Sequence, residues 1–161
     1  VDQHAAAPFR RGGIKRLRIT VADPALPEHR AAVLAPLQAY NVAQAGDPQA
    51  RLVAILLEDD AGTAEGGLWG RIAFGWLFVE LLGLPDAARG QGWGRTLMER
   101  AEAIARAAGC VGIWLDTYDF QAPGFYEKLG FVQFGAIADY PPGHTRHFYQ
   151  KRLDQILTAS A

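Results

Sequence analysis

The sequence predicts a mixed α/β (α+β) domain: a mostly antiparallel sheet flanked by helices. Three observations carry that expectation. Short β-prone runs separated by turn residues fill 51–84, one strongly amphipathic helical stripe follows a glycine-rich segment at 90–94, and an alternating strand follows that helix at 111–118. Strands joined by tight turns pair antiparallel, whereas a helix between two strands makes them a parallel pair. With 161 residues, 50% hydrophobic and 20% charged, the chain has the size and composition for one packed core.

Residues 14–21 are β-rich with imperfect alternation, and Asp23 with Pro24 stops the run, so a first strand is expected there. Residues 27–42 carry Ala31, Leu34, Leu37 and Val42 at helical spacing around Pro36, which predicts a helix that kinks or splits near that proline. Arg51–Glu58 is an apolar strand. Asp59, Asp60, Ala61 and Gly62 can turn it into a hairpin that returns over 68–74, and 76–84 is another β-prone run. Beyond Gly94, the positions Leu97, Ala101, Ile104 and Ala108, flanked by Met98 and Ala105, form one apolar stripe. Arg95, Glu99, Glu102 and Arg106 fall elsewhere, and Gly109 is the expected stop. Over 111–118, Val111, Ile113 and Leu115 alternate with Trp114, Asp116 and Tyr118. A short helix over 121–129 ends at Gly130. Two last strands, 131–137 and 146–153, are joined by Tyr140-Pro141-Pro142-Gly143.

Composition removes several classes of function. Sixteen Lys and Arg stand against 17 Asp and Glu, a formal net charge of −1, without the basic excess used to bind nucleic acid or an anionic membrane. A single cysteine, Cys110, excludes an internal disulfide and Cys-rich zinc sites, and makes a reducing, cytoplasmic setting the simplest expectation. The longest apolar stretch, 72–84, falls short of the roughly 20 residues that cross a bilayer. Residues 1–13 lack a basic start followed by a continuous apolar core, so a loose, flexible arm is expected there, ahead of a single domain over 14–161. His144 and His147 make no metal site without a third ligand, and no metal is expected.

The segment from Leu82 to Arg95 runs from a strand into a glycine-rich turn that opens a helix. Glycines let the backbone turn and approach a ligand closely, and the unpaired N–H groups of a first helical turn point at negative charge. Two familiar phosphate loops fail by spacing: the dinucleotide fingerprint needs a glycine where Arg95 stands, and the nucleotide-triphosphate loop needs Gly-Lys-Ser/Thr where Gly94 precedes Arg95 and Thr96. A glycine cluster alone could equally do no more than tighten a strand-to-helix connection.

Arg89-Gly90-Gln91-Gly92-Trp93-Gly94 matches the Arg/Gln-x-x-Gly-x-Gly/Ala signature of the GNAT N-acetyltransferases, with Leu97 where an aliphatic is usual. Downstream, Ala122-Pro123-Gly124-Phe125-Tyr126-Glu127-Lys128-Leu129-Gly130-Phe131 is similar to that family's Ala-x-x-Phe-Tyr-x-x-x-Gly-Phe segment. The chain resembles this superfamily over 14–153, most strongly over 79–131. The resemblance implies six or seven strands, the fourth and fifth splayed apart to admit acetyl-CoA. By position it places the N–H groups of Gln91, Gly92, Trp93, Gly94, Arg95 and Thr96 on the pyrophosphate, with Arg89 and Gly90 bordering it. Leu82 and Leu84 would pair their backbone with the pantetheine arm, and the amide of Leu82 or Gly83 would polarise the thioester carbonyl. Tyr126 stands where the family's tyrosine protonates the leaving thiolate, a task that suits a phenol of pKa about 10. Asp119 stands where many relatives have Asn, and Trp93 where a smaller aliphatic is usual.

An amine acceptor must also lose a proton, and Glu80 and Asp116 are the candidate bases. Glu80 is an acid in an apolar strand with the parity of Leu82 and Leu84; Asp116 shares the parity of Trp114 and Tyr118. Either could be structural instead, Glu80 as a salt-bridged edge residue and Asp116 as a cap on the next helix. Asp139, Tyr140 and His144 lie in a hairpin that the resemblance brings near the acceptor, though a solvated turn explains them as well. The function implied is an N-acetyltransferase moving an acetyl group from acetyl-CoA to a primary amine by direct attack in a ternary complex. A non-catalytic acyl-CoA-binding or sensing module is the alternative, and a homodimer, common in the family, is compatible with the sequence.

Overall fold

A computed structural model describes residues 17–154 and divides into two compact units with the boundary between Tyr40 and Asn41. The arm expected over 1–13, and residues 14–16 of the first expected strand, lie outside the described residues. Residues 17–22 belong to no sheet. β-propensity measures fit to a sheet surface, whereas a strand exists only through hydrogen bonds to a partner, so this run stays irregular. Helix α1, Pro27–Ala45, begins with proline at its first position, where the fixed φ suits a helix and no N–H is missed. Leu26 donates its N–H to His29 Nδ1 at 3.1 Å, and its carbonyl accepts from the His29 and Arg30 N–H groups. The helix is continuous through Pro36 rather than split there. The proline removes only one bond, the one to Ala32, and alanines on both sides favour continuation.

Among its described residues the second unit holds six strands: β1 Arg51–Glu58, β2 Ala64–Ala73, β3 Trp76–Gly83, β4 Gly112–Tyr118, β5 Val132–Ala138 and β6 Thr145–Arg152, in the order β1-β2-β3-β4-β6-β5. All neighbours are antiparallel except β3 and β4, which helix α2, Trp93–Ala107, connects. Asp59 builds the β1–β2 turn, its Oδ1 accepting the N–H groups of Ala61 at 2.9 Å and Thr63 at 2.8 Å. β2 starts four residues before the expected 68. Gly66 and Gly67, ahead of the expected strand, are ladder positions; Gly67 has φ 142°, and a Cβ there would lie 2.1 Å from the Ile55 carbonyl. Phe74 and Gly75, with φ of 51° and 72°, close the β2–β3 hairpin in two residues.

One face of the sheet meets α2. Leu68, Ile72, Leu77, Val79, Ile113 and Leu115 pack with Leu97, Met98, Ala101 and Ala105 of the expected stripe; Ile104 is partly buried, and Ala108 caps the helix and is exposed. Ala101 and Ala105 are fully buried, and their small side chains bring the helix axis close to the strands. Helix α3, Pro123–Glu127, is two residues shorter at each end than expected, and adds Tyr126 to the same core.

Gly62 and Gly67 both have positive φ, but only Gly67 has backbone in the space a Cβ would fill. Gly62→Ala is expected to cost about 1 kcal/mol, the left-handed penalty alone, and Gly67→Ala substantially more. Denaturant midpoints of the two variants check this, and equal midpoints would show that β1 and β2 part easily there.

Candidate active site

β3 and β4 pair in parallel from Trp76 with Gly112 to Val79 with Leu115, and no further. Beyond Val79, the end of β3 presents β4 with an unpaired edge. The cause lies on the other side of β3, where Val79 pairs with Gly70 and Leu81 with the adjacent Trp69, leaving Glu80 as an extra residue. A bulge of this kind bends its strand and increases local twist, turning the end of β3 out of register with β4. With no strand at 17–22, the two strands expected to part are the third and fourth of the six.

The bulge also corrects a parity. Simple alternation puts Glu80 with Leu82 and Leu84. The extra residue instead leaves Glu80 on the outer face, turned away from α2 and paired with Arg71, while Leu82 and Leu84 pack against the core.

After Pro85 the chain makes a 3-10 turn, Asp86–Ala88, and enters α2 through Gly90 and Gly92, with φ of 72° and 88°. Gly92 caps the helix in the left-handed conformation without help from a side chain. A Cβ at Gly90 or Gly92 would meet nothing within 4 Å, so both face open space. Among the described residues no backbone carbonyl accepts the N–H groups of residues 90–95; the Thr96 N–H, expected on the pyrophosphate, is instead taken by the first helical bond, to Gly92 at 3.1 Å, because one turn has closed by that residue. Six consecutive unpaired amides at the positive end of a 15-residue helix form a cradle with the electrostatics to suit an anion. The long side chains stabilise the loop internally: Arg89 reaches Asp86 at 3.0 Å and the Leu84 carbonyl at 3.4 Å, and the Gln91 amide donates to the Ala87 carbonyl. At Gly94 a Cβ would lie 3.2 Å from Phe125 and 3.6 Å from Leu84, so its absence lets the first turn of α2 close against α3 and the end of β3. Trp93 is half-exposed.

Tyr126 is 8% exposed and enclosed by rings, with centroids 5.0 Å from Phe125, 6.1 Å from Phe131 and 6.2 Å from Tyr149. Its hydroxyl has no hydrogen-bond partner among the described residues. Burial, and secondarily the negative charge of Asp116, pushes the phenol up to about 12, so it holds its proton at any physiological pH.

Glu80 and Asp116 lie one residue past the last parallel pair, on opposite arms of the fork and on the outer face. Each has an arginine. Arg71 Nε is 3.2 Å from Glu80, whose side chain is 32% exposed; Arg146 places Nε at 2.7 Å and Nη2 at 2.6 Å from Asp116 Oδ1, with the carboxylate 15% exposed. The Arg146 guanidinium also lies 5.1 Å from the Tyr140 ring, 5.5 Å from Tyr118 and 5.7 Å from Phe148, and donates to the Tyr140 hydroxyl at 3.1 Å. Asp116 does not cap the following helix: Ala122, the N-cap, has no side-chain bond, and it is Gln121 that accepts from Thr117 and from the Tyr118 N–H, both at 2.9 Å.

Asp119 ties the end of β4 to the β5–β6 connection, with Oδ1 2.9 Å from His144 Nδ1 and Oδ2 accepting the Thr145 N–H at 2.9 Å. Asp139 accepts the Gly143 N–H at 3.3 Å, and the Tyr140 N–H reaches the His144 carbonyl at 2.9 Å. Asp139 and His144 thus serve the hairpin itself, and Tyr140 reaches the fork through Arg146. The partner arginines, Arg71 and Arg146, escape a reading of the sequence. Arg146 becomes a neighbour of Asp116 only once β6 is known to lie between β4 and β5. Among the described residues no group of three or more His, Cys, Asp or Glu side chains could hold a metal ion, and no helix is long and apolar enough to cross a membrane.

The comparisons with known proteins agree with this architecture. A model of the acetyltransferase (GNAT) family matches residues 20–131. An acetyltransferase of Agrobacterium fabrum is 37% identical over 137 residues, covering 85% of this chain and 100% of that protein. Blasticidin-S acetyltransferase of Streptomyces morookaense is 47% identical over 95 residues, 58% of this chain and 70% of that protein. The crystal structure of an acetyltransferase from Bacillus cereus superimposes with a TM-score of 0.74 at 29% identity, over 83% of this chain and 98% of that one. With a forked sheet, an amide cradle and these likenesses spanning most of its length, the chain belongs to the acetyltransferase (GNAT) family.

Proposed function

We propose that the protein moves the acetyl group of acetyl-CoA, the donor used by enzymes of this family, to a primary amine by direct attack in a ternary complex. The observation that carries this reading is the convergence of an anion cradle, an unpaired strand edge and a buried, protonated tyrosine around one split in the sheet. The cradle of residues 90–95 takes the pyrophosphate, and the free edge of β3 at Leu82 and Leu84 takes the pantetheine arm as an added strand would. The amine nitrogen bonds to the thioester carbonyl carbon while negative charge grows on the carbonyl oxygen, where the amide of Leu82 or Gly83 stabilises it. The C–S bond then breaks and the thiolate takes the Tyr126 proton. The proton that the acceptor ammonium loses before it attacks goes to Glu80, the less buried and more loosely held of the two acids, and the one its nitrogen loses after the new bond forms goes to the Tyr126 phenolate. Asp116, fixed by Arg146, shapes the other arm of the fork. The likeness to blasticidin-S acetyltransferase puts blasticidin S first in a panel of acceptors.

Calorimetric titration with acetyl-CoA, CoA and ATP tests the cradle before any acceptor is chosen. Saturable binding of the CoA species in preference to ATP supports the reading, and its absence overturns it. Thiol release with an amine panel then separates a transferase from a binding module, which would bind and release nothing. Tyr126→Phe is expected to lower turnover about 100-fold with the acetyl-CoA Kd unchanged; full turnover would remove Tyr126 from the acid role. Gly92→Asp, which places a negative side chain in the open space of the cradle, is expected to abolish acetyl-CoA binding in the same titration. Glu80→Gln is expected to lower kcat at neutral pH and to recover as pH approaches the amine pKa of about 10, because a deprotonated acceptor needs no base. A deficit that persists at high pH would assign Glu80 a structural task.

A further inference from the structure

Where β1 ends, β2 begins and β3 ends, the sheet carries an open hollow of about 490 Å³. The strand registers show how it forms. Leu56 of β1, Gly67 of β2 and Gly83 of β3 stand in one cross-strand row, and Ala54, Trp69 and Leu81 stand in the next row on the same, outer face. The first row has one side chain where a regular sheet has three, so the two glycines leave a floor of bare backbone. Leu56, Trp69 and Leu81 wall it, and all three are exposed. Gly67 is glycine because the Ile55 carbonyl fills the place of a Cβ, but Gly83 has no such reason: its φ is not positive and a Cβ there would meet nothing within 4 Å. Glycine in a strand is destabilising, and where neither backbone nor packing demands it, it marks a place that something else approaches closely. Glu65 is the one ionisable side chain in the lining and has no ion pair among the described residues.

We propose that this hollow seats the acceptor, and that the acceptor is a small amine built on a flat apolar ring and carrying a second cationic group. The proposal rests on the acetyl-CoA reading above. The volume lies in the range of small-molecule sites, about 300–1,000 Å³, and apolar walls with few polar groups are the usual lining of such sites. A flat ring fits a floor without side chains and packs against the Trp69 indole. The Glu65 carboxylate at the rim takes the second cation in a charge-assisted hydrogen bond. Gly83 belongs both to the floor of the hollow and to the free end of β3, and Glu80 lies on the same outer face. A ring seated here therefore carries its attacking nitrogen to the thioester carbon on the side of the proposed base. Trp69 and Glu65 become specificity-determining residues, which choose the acceptor without touching the reacting atoms.

The test is thiol release from saturating acetyl-CoA by the full chain with three amines: p-xylylenediamine, which has a ring and two cations, benzylamine, which has the ring and one, and putrescine, which has two cations and no ring. The kcat/KM of p-xylylenediamine is expected to exceed that of putrescine about tenfold, from ring packing, and that of benzylamine about threefold, from one exposed ion pair. Trp69→Ala is expected to lose most of the first ratio and Glu65→Gln most of the second. An unchanged acetyl-CoA Kd shows that each variant is folded, and Glu65→Gln carries the test if Trp69→Ala weakens that binding. Equal kcat/KM for the three amines, no thiol release with any of them, or ratios unchanged in both variants overturns this acceptor class, and saturable acetyl-CoA binding then leaves the donor site standing. Absence of acetyl-CoA binding overturns both.

Discussion

Parallel pairing between β3 and β4 stops after four residue pairs, and most of what the protein can do depends on that interruption. A sheet that closed fully here would satisfy every backbone group of β3 and leave nothing for a ligand to pair with. The bulge at Glu80 prevents closure by spending one residue of β3 without advancing its register against β2. It also sorts the side chains that follow, sending Leu82 and Leu84 to the core and Glu80 to the outer face. One inserted residue thus opens a strand edge, anchors it beneath with leucines and sets an acid at its side.

The two faces of the sheet do different work. The inner face is buried and apolar, aliphatic under α2 and aromatic around Tyr126, held by alanines that let α2 approach, and it fixes where the amides at the start of α2 point. The outer face is aromatic and charged, with Arg71 on Glu80 and Arg146 on Asp116 across the fork. Each carboxylate has its own cation, which limits the repulsion that two acids at the head of one split would otherwise exert. Tyr126 belongs to the inner face, so the proposed proton donor and proton acceptor are kept on opposite sides of the opening.

Much of this was readable in the residues. The stripe from Leu97 to Ala105, the alternation from Ile113 to Tyr118 and the glycines ahead of α2 each obey a local rule, and local rules survive folding. What escaped depended on partners distant in sequence. The run at 17–21 has the composition of a strand but no partner among the described residues. Pro36 has the chemistry of a helix breaker, yet its alanine-rich surroundings carry the helix through. Gly66 and Gly67 fall ahead of the strand the pattern predicts, and the close approach of the Gly83 carbonyl to the first and of the Ile55 carbonyl to the second explains glycine in a ladder. The parity of Glu80 turned on a bulge, which pattern counting along one strand does not register, and the arginine on Asp116 required the strand order.

That order has a consequence for how the chain assembles. β6 lies between β4 and β5, so the edge of β4 that will carry the far wall of the fork has no partner until residues 145–152 have been made. Synthesis runs from the N-terminus, and the first three strands and α2 can gather their core while β4 still has one edge open. Such non-local pairing is slow, and an open edge is a site for unwanted association. Strand β6 therefore both fills the gap between β4 and β5 and delivers Arg146 to Asp116, making the finished fork a sign that the sheet has closed.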